Sequence, residues 1–355
     1  MGANDNRFRL DPELAKHAAR LEPIDLSAAN LADLRARTNA ASRSQSERWP
    51  DVEQQDHEVP ASGSASGTSR PAVSLRIYRR IDTDDQPDWP DQPTQARRSE
   101  PSPAVLEIHG GGHVLGDLAM MDVWCQAIAS MTQSVVVSVD YRLSPEHPFP
   151  AALEDCYRTL EWMAEHHADL GIDPSRIVVS GQSAGAGLAA GVCLAARDRG
   201  GPGICYQMLE VPQLDDRLQT TSAQQCRDAP VWTTQNARDS WRHYLGPEGP
   251  PPGQPELSYA IPARAATVAG VPPAYVSVMQ FDPMRDEAIN YAQRLMDAGI
   301  PVELHSFAGT FHSAARVATA EVAKRIALES ITVLRRVLHH VPPAPLNGAD
   351  DSAPN

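Results

Sequence analysis

Between Arg176 and Ala190 the chain reads Arg-Ile-Val-Val-Ser-Gly-Gln-Ser-Ala-Gly-Ala-Gly-Leu-Ala-Ala, an apolar run that turns through Gly181-Gln182-Ser183-Ala184-Gly185 into a segment of small residues. This stretch narrows the folds open to the chain more than any other. Glycines two positions either side of Ser183 remove the Cβ atoms that would forbid close approach of a strand and the helix after it. The serine hydroxyl is then presented on a tight turn at a helix N-terminus, where a nucleophile can sit. Alone the pentapeptide is weak, since it arises by chance in on the order of one chain in ten of this length. Its weight comes from what flanks it and from three further stretches.

Apolar runs at Ala104–Ile108, Ser134–Val139, Arg176–Val179, Ala274–Val278 and Val302–Phe307 alternate with helical patterns near 119–131, 150–168, 184–198, 286–298 and 318–339. β-branched strand runs between helices predict an α/β chain with a mostly parallel central sheet covered on both faces. Ligands of such sheets bind at the carboxyl ends of the strands. Val73–Tyr78 alternates apolar and polar residues, as a half-exposed antiparallel strand does.

Outside this core, residues 11–38 carry two short helical patterns, with Leu14, Ala18 and Leu21 on one face and Leu31 and Leu34 on the next, punctuated by Pro23. Residues 39–70 are rich in Ser, Gly, Gln and charge and read as loop around one short strand. Residues 82–103, with five prolines and many acids, are an insertion without assigned structure. The regular pattern lapses again at about 212–262, where Trp232, Trp241, Tyr244 and Leu245 sit among Pro- and Gly-rich links. Aromatics that dense are usually buried, so this excursion is expected to join the N-terminal helices in a cap, the alternative being a long surface loop. The expected organisation is thus N-terminal cap helices and linker over 1–60, a core over 70–340 holding the insertion and the excursion, and a disordered tail at 341–355.

A net charge of −14 argues against a sequence-independent grip on phosphate backbones, so nucleic acid is not an expected partner. Cys125, Cys156, Cys193, Cys205 and Cys226 form no C-x-x-C pair and are odd in number, which suits buried thiols in a reducing compartment. The first residues lack an apolar stretch of signal-peptide length, and no run approaches the ~18 apolar residues of a membrane span. A cytoplasmic location is expected, and a homodimer is left open.

Chemistry enters at the strand ends. His109-Gly110-Gly111-Gly112-His113 follows the run ending at Ile108. Three glycines let backbone N–H groups face a cavity with no side chain in the way, as stabilising an oxyanion requires. A P-loop is excluded because Gly116 is followed by Asp117. A serine needs a base, and an imidazole base needs an acceptor to fix its tautomer. Asp282 stands at the end of the run before it and could either orient an imidazole or cap the helix holding Asp286 and Glu287. Of twelve histidines, four lie beyond it: His305 within a strand, His339 and His340 at a helix end, and His312 in Gly309-Thr-Phe-His-Ser313 just past the last strand. His312 is the candidate base. No His, Cys and Asp cluster has metal spacing, and no cofactor is implied.

Taken together, these residues resemble the α/β-hydrolase fold, specifically the hormone-sensitive-lipase-like carboxylesterases. The order Ser…Asp…His, the glycine loop, the stretch Asp140-Tyr-Arg-Leu-Ser-Pro-Glu-His-Pro-Phe-Pro-Ala-Ala-Leu-Glu-Asp155 and Asp282-Pro-Met-Arg-Asp-Glu287 carry the resemblance. It implies Ser183 as nucleophile, Asp282 as orienting acid, His312 as base, and oxyanion N–H groups from Gly110, Gly111 and Ala184, with His109 structural. It also implies a helical cap and a small or short-acyl ester substrate. Two departures stand out: Gln182 where many relatives have Asp, and Ser-Ala after His312 where Gly-Phe is common. The same residues would serve an amidase or deacetylase, and a non-catalytic hydrolase-like binding protein is a further alternative. Dinucleotide binding, suggested by Gly185-Ala-Gly-Leu-Ala-Ala190 with Glu210 further on, leaves His109–Gly112, Asp282 and His312 unexplained.

Overall fold

A computed structural model describes residues 8–27, 29–45, 48–63, 69–81, 100–246 and 257–339. The proposed tail, most of the 82–103 insertion and residues 247–256 of the excursion lie outside them. Eight strands form one sheet: β1 (Val52–Val59), β2 (Val73–Arg80), β3 (Ser102–Ile108), β4 (Val135–Val139), β5 (Ile172–Gln182), β6 (Tyr206–Glu210), β7 (Ala274–Phe281) and β8 (Val302–Phe311). Their spatial order is β1-β2-β4-β3-β5-β6-β7-β8. Only β2 runs against its neighbours; every pairing from β4 to β8 is parallel.

The helices labelled here are α1 (Pro12–Ala18), α2 (Leu31–Gln45), α3 (Asp122–Thr132), α4 (Ala151–Glu165), α5 (Ala184–Arg199), α6 (Thr234–Leu245), α7 (Arg285–Asp297) and α8 (Glu321–His339). Period-two alternation sorts the strands onto two cores. Leu106, Ile108, Val179, Leu209 and Val276 pack against α4, α5 and α7 on one face. Val105, Val136, Val178, Met208 and Tyr275 pack against α3 and α8 on the other. Both faces of the central strands are buried, which is why they read as continuous apolar runs.

Two elements differ from the sequence expectation. Where 39–70 reads as loop around a short strand, α2 extends to Gln45 and β1 is a full eight-residue strand. Val52-Glu-Gln-Gln-Asp-His-Glu-Val59 buries only its terminal valines, because an edge strand pairs on one side through its backbone and leaves its side chains to solvent. Strand β6, Tyr-Gln-Met-Leu-Glu, is fully buried and central despite its polar residues. The five cysteines are free, four of them buried and Cys205 half-buried. Among the described residues no helix is long and apolar enough to cross a membrane.

Candidate active site

The carboxyl ends of β3, β5, β7 and β8 bring the sequence-selected residues to one edge of the sheet. Ser183 leaves β5 with φ 57° and ψ −119°, and α5 starts at the next residue. This left-handed turn is held on both sides: Ser183 N–H donates to the Glu210 carbonyl at 2.8 Å, and its carbonyl accepts from Ala186, Gly187 and Gln213. The glycines are needed by close approach. A Cβ on Gly181 would overlap the backbone of Gly185, and one on Gly185 would overlap the carbonyl oxygens of Ile108 and His109. Gly185 and Gly187 are thus taken up by contact with the backbones of Ile108, His109 and Gln213, which argues against the pyrophosphate turn of the dinucleotide alternative.

Ser183 Oγ lies 2.9 Å from His312 Nε2, and His312 Nδ1 lies 2.6 Å from Asp282 Oδ2. The three are 6 %, 2 % and 1 % exposed, so the chain of hydrogen bonds is shielded from water, where it is electrostatically stronger. Asp282 makes two contacts at once, one with each oxygen: Oδ2 meets His312 Nδ1 and Oδ1 accepts from the Met284 N–H at 2.9 Å. Helix α7 begins only at Arg285, so Asp282 secures the turn before it. Asp286 and Glu287 face other business. Asp286 accepts from Ser222 N–H at 2.7 Å, and buried Glu287 accepts from Leu214 N–H at 2.7 Å and Asp215 N–H at 3.2 Å, tying the start of the excursion to α7.

Gly110, Gly111 and Gly112 line a cavity with Ser183 and His312. Gly111 and Gly112 have φ of 105° and 60°, a region that favours glycine. Among the described residues the N–H groups of Gly110, Gly111 and Ala184 donate to no carbonyl or side chain, which leaves three donors beside the serine hydroxyl. His109 is spoken for: its Nδ1 donates to the Gly110 carbonyl at 2.8 Å, and its ring stacks on Tyr141, centroids 4.1 Å apart. Tyr141 OH donates to the His109 carbonyl at 2.9 Å. Burial pulls the His109 pKa down to about 4, so this imidazole is a neutral strut of the loop.

Further residues, some of them named from the sequence and some not, surround the site. Ser240 on α6 donates to the Gly112 carbonyl at 2.9 Å and receives Gln213 Nε2 at 3.0 Å. Trp232 lies on Gly112, and its ring sits 5.8 Å from that of His312. Ile24, Leu34 and Thr38 from the N-terminal segment face the same cavity, whose volume is about 250 Å³. Asn236 Nδ2 donates to the Ile24 carbonyl and His243 Nε2 to the Leu26 carbonyl, each at 2.7 Å. Arg35 on α2 donates to the carbonyls of Val114 and Ser144. Gln182 donates to Glu210 Oε2 at 2.9 Å, and Ser330 donates to Glu210 Oε1 at 2.6 Å. An aspartate at 182 would place a second carboxylate against Glu210, which accounts for the glutamine here. Among the described residues, no three His, Cys, Asp or Glu side chains converge as a metal site.

Comparison with known proteins agrees with this architecture. The α/β hydrolase fold family profile matches residues 105–316. The esterase LipI of Mycobacterium tuberculosis is 39% identical over 271 residues, 75% of this chain and 79% of that protein. The carboxylesterase NlhH of the same species is 37% identical over 238 residues, 67% of this chain and 74% of that protein. A solved structure described as bacterial heroin esterase is 42% identical and superposes with a TM-score of 0.83, covering 93% of this chain and 98% of that one.

Proposed function

Since the chain belongs to the α/β-hydrolase fold family, among its hormone-sensitive-lipase-like carboxylesterases, we propose that it hydrolyses small or short-acyl esters through Ser183, His312 and Asp282 by way of an acyl-enzyme. The observation that carries this reading is the buried hydrogen-bond chain from Ser183 Oγ through His312 to Asp282. Ser183 Oγ attacks the ester carbonyl carbon while its proton passes to His312 Nε2. Negative charge then collects on the former carbonyl oxygen, where the N–H groups of Gly110, Gly111 and Ala184 receive it. Collapse breaks the bond to the alcohol oxygen, which takes the proton from His312. Water repeats the sequence on the acyl-serine, gives its proton to His312, and releases the acid with Ser183 restored. Asp282 holds the imidazole in the competent tautomer and offsets its transient positive charge.

We read the N-terminal helices of 1–60 and the 212–262 excursion as the cap that bounds the substrate. Their cross-links at Ile24, Leu26 and Arg35 support this, and a cavity of about 250 Å³ is small against the ~300–1,000 Å³ usual for ligand pockets. The five free thiols fit a reducing compartment, in line with a cytoplasmic enzyme. The test is a purified sample profiled on p-nitrophenyl esters of increasing acyl length, aryl acetamides and emulsified triglyceride, with fluorophosphonate labelling in parallel. Highest kcat/KM on the short esters is expected. Ser183→Ala should abolish labelling and lower kcat by roughly 10⁴–10⁶. Faster turnover of acetamides would make the protein an amidase, and labelling that persists in the variant would place the nucleophile elsewhere.

A further inference from the structure

Among the described residues that line the cavity, two carry an ordinary charged group, Glu210 and Arg316. Glu210 is engaged by Gln182 and Ser330. Arg316 has no such partner. It follows His312 by four positions on the short turn Ala314–Arg316, and among the described residues no carboxylate or carbonyl receives its guanidinium. Elsewhere acids and carbonyls are supplied readily: Arg35 grips Glu146 with both terminal nitrogens, Arg142 clamps Asp155, and Arg285 binds Asp286 and the Gln280 carbonyl. In a chain with a net charge of −14, an unmatched guanidinium in a cavity wall does not reflect a shortage of acids.

Arg316 is exposed at the cavity wall, and desolvation lowers its pKa below the usual value with no acid to offset it. It nonetheless stays protonated at any working pH. Five N–H donors in a fixed fork, open to solvent and without a protein acceptor, make half of a charge-assisted pair.

The proposed chemistry says which half of a substrate would meet it. The alcohol oxygen takes its proton from His312, so the alcohol portion must lie past the imidazole, toward the segment that carries Ser313, Ala315 and Arg316, all of which line the cavity. We propose that Arg316 selects esters whose alcohol portion carries a carboxylate, which the guanidinium receives while Ser183 attacks the ester carbonyl. This specificity rests on the ester-hydrolase reading above.

The test compares para-acetoxybenzoate, whose phenol portion bears a carboxylate, with its neutral methyl ester, both followed by release of the phenol. The readout is the ratio of kcat/KM for the anionic to the neutral acetate in each protein, so intrinsic differences in leaving ability cancel between variants. Arg316→Gln should lower that ratio by about 10- to 100-fold, the range expected of a hydrogen-bonded charge, mainly through KM. Arg316→Lys should recover part of it, and added salt should erode it in the parent protein. Turnover of the neutral acetate shows that each variant is folded. A ratio unchanged in Arg316→Gln, or unaffected by both salt and Arg316→Lys, overturns the assignment. Failure of the parent protein to hydrolyse either acetate would instead overturn the ester-hydrolase reading.

Discussion

Replacing Asp282 by asparagine perturbs the proposed triad with almost no change in volume. The carboxylate divides its oxygens between the Met284 N–H at 2.9 Å and His312 Nδ1 at 2.6 Å. Asparagine has one acceptor and one NH₂ to put in those two places. With its oxygen on Met284, the NH₂ faces Nδ1, which must then be unprotonated. The imidazole proton moves to Nε2, where it points at Ser183 and blocks uptake of the serine proton. With the amide flipped, the imidazole keeps the right tautomer, but a buried N–H faces an NH₂ at a cost of ~1–3 kcal/mol. That penalty leaves roughly one molecule in five to one in 150 in the competent arrangement. The lost carboxylate charge, no longer there to stabilise the imidazolium, lowers turnover further. The expectation is a kcat reduced by roughly 10²–10⁴ near neutral pH, about 3–5 kcal/mol of barrier, with little change in KM or urea midpoint. Steady-state kinetics on a short p-nitrophenyl ester measure the loss, and nitrogen NMR of His312 should find the proton on Nε2. A kcat within tenfold of the parent in an equally stable protein would refute the reasoning and leave Asp282 as a turn residue only.

Gly185→Ala drives a Cβ into the carbonyl oxygens of Ile108 and His109, and backbone cannot yield as a flexible side chain can. Destabilisation of at least ~1–3 kcal/mol and loss of most turnover are expected in urea unfolding and ester assays; a variant as stable and active as the parent would contradict the close-approach argument. Glu107 on β3 is fully buried, and burial, opposed by the Ser180 hydroxyl and aided by nearby Glu210, pushes its pKa up to about 8. Between its ordinary value of 4.5 and about 8 the unfolded carboxyl ionises while the folded one keeps its proton. Its contribution to stability is therefore full below that window and declines through it, by up to about 1.4 kcal/mol per pH unit. Glu107→Gln should flatten the fall in urea midpoint from mildly acidic to mildly alkaline pH, and parallel profiles for the two proteins would show that Glu107 ionises normally.

The elements that could be read in advance share a physical property: their side chains report their surroundings. Central strands β3, β4, β5 and β7 are buried on both faces, so apolar runs betray them. The pentapeptide around Ser183 and the triple glycine are legible because close approach and positive φ restrict them to few residue types. Strand β1 is illegible because an exposed edge imposes nothing on its side chains. Strand β6 hides because Gln207 and Glu210 are buried with partners contributed from far away, the Pro272 carbonyl and Ser330. For the same reason nothing local marks Val231 or Arg316 as cavity residues, or Ser240 and Gln213 as supports of Gly112, since their positions follow from how the 212–262 excursion and the turn after β8 come back over the sheet. The helix after Asp282 begins two residues later than Pro283 suggests, with one carboxylate oxygen on the Met284 N–H and the other on His312.

The contacts between the N-terminal segment and α6 set an order of events during synthesis. Ile24 and Leu26 meet Asn236 and His243 across 212 and 217 residues. At roughly 5–20 residues per second, a ribosome keeps the first partners waiting on the order of 10–40 s. Helix α2 is suited to that wait: apart from Leu31 and Leu34 it is built of Ala, Arg, Ser and single Asp, Thr, Asn and Gln residues, with little surface to aggregate. His312 emerges later still, 129 residues after Ser183. The N-terminal and 212–262 parts of the cavity wall are therefore in the growing chain before the imidazole that would activate the serine, whereas Arg316, proposed to choose among substrates, arrives together with it.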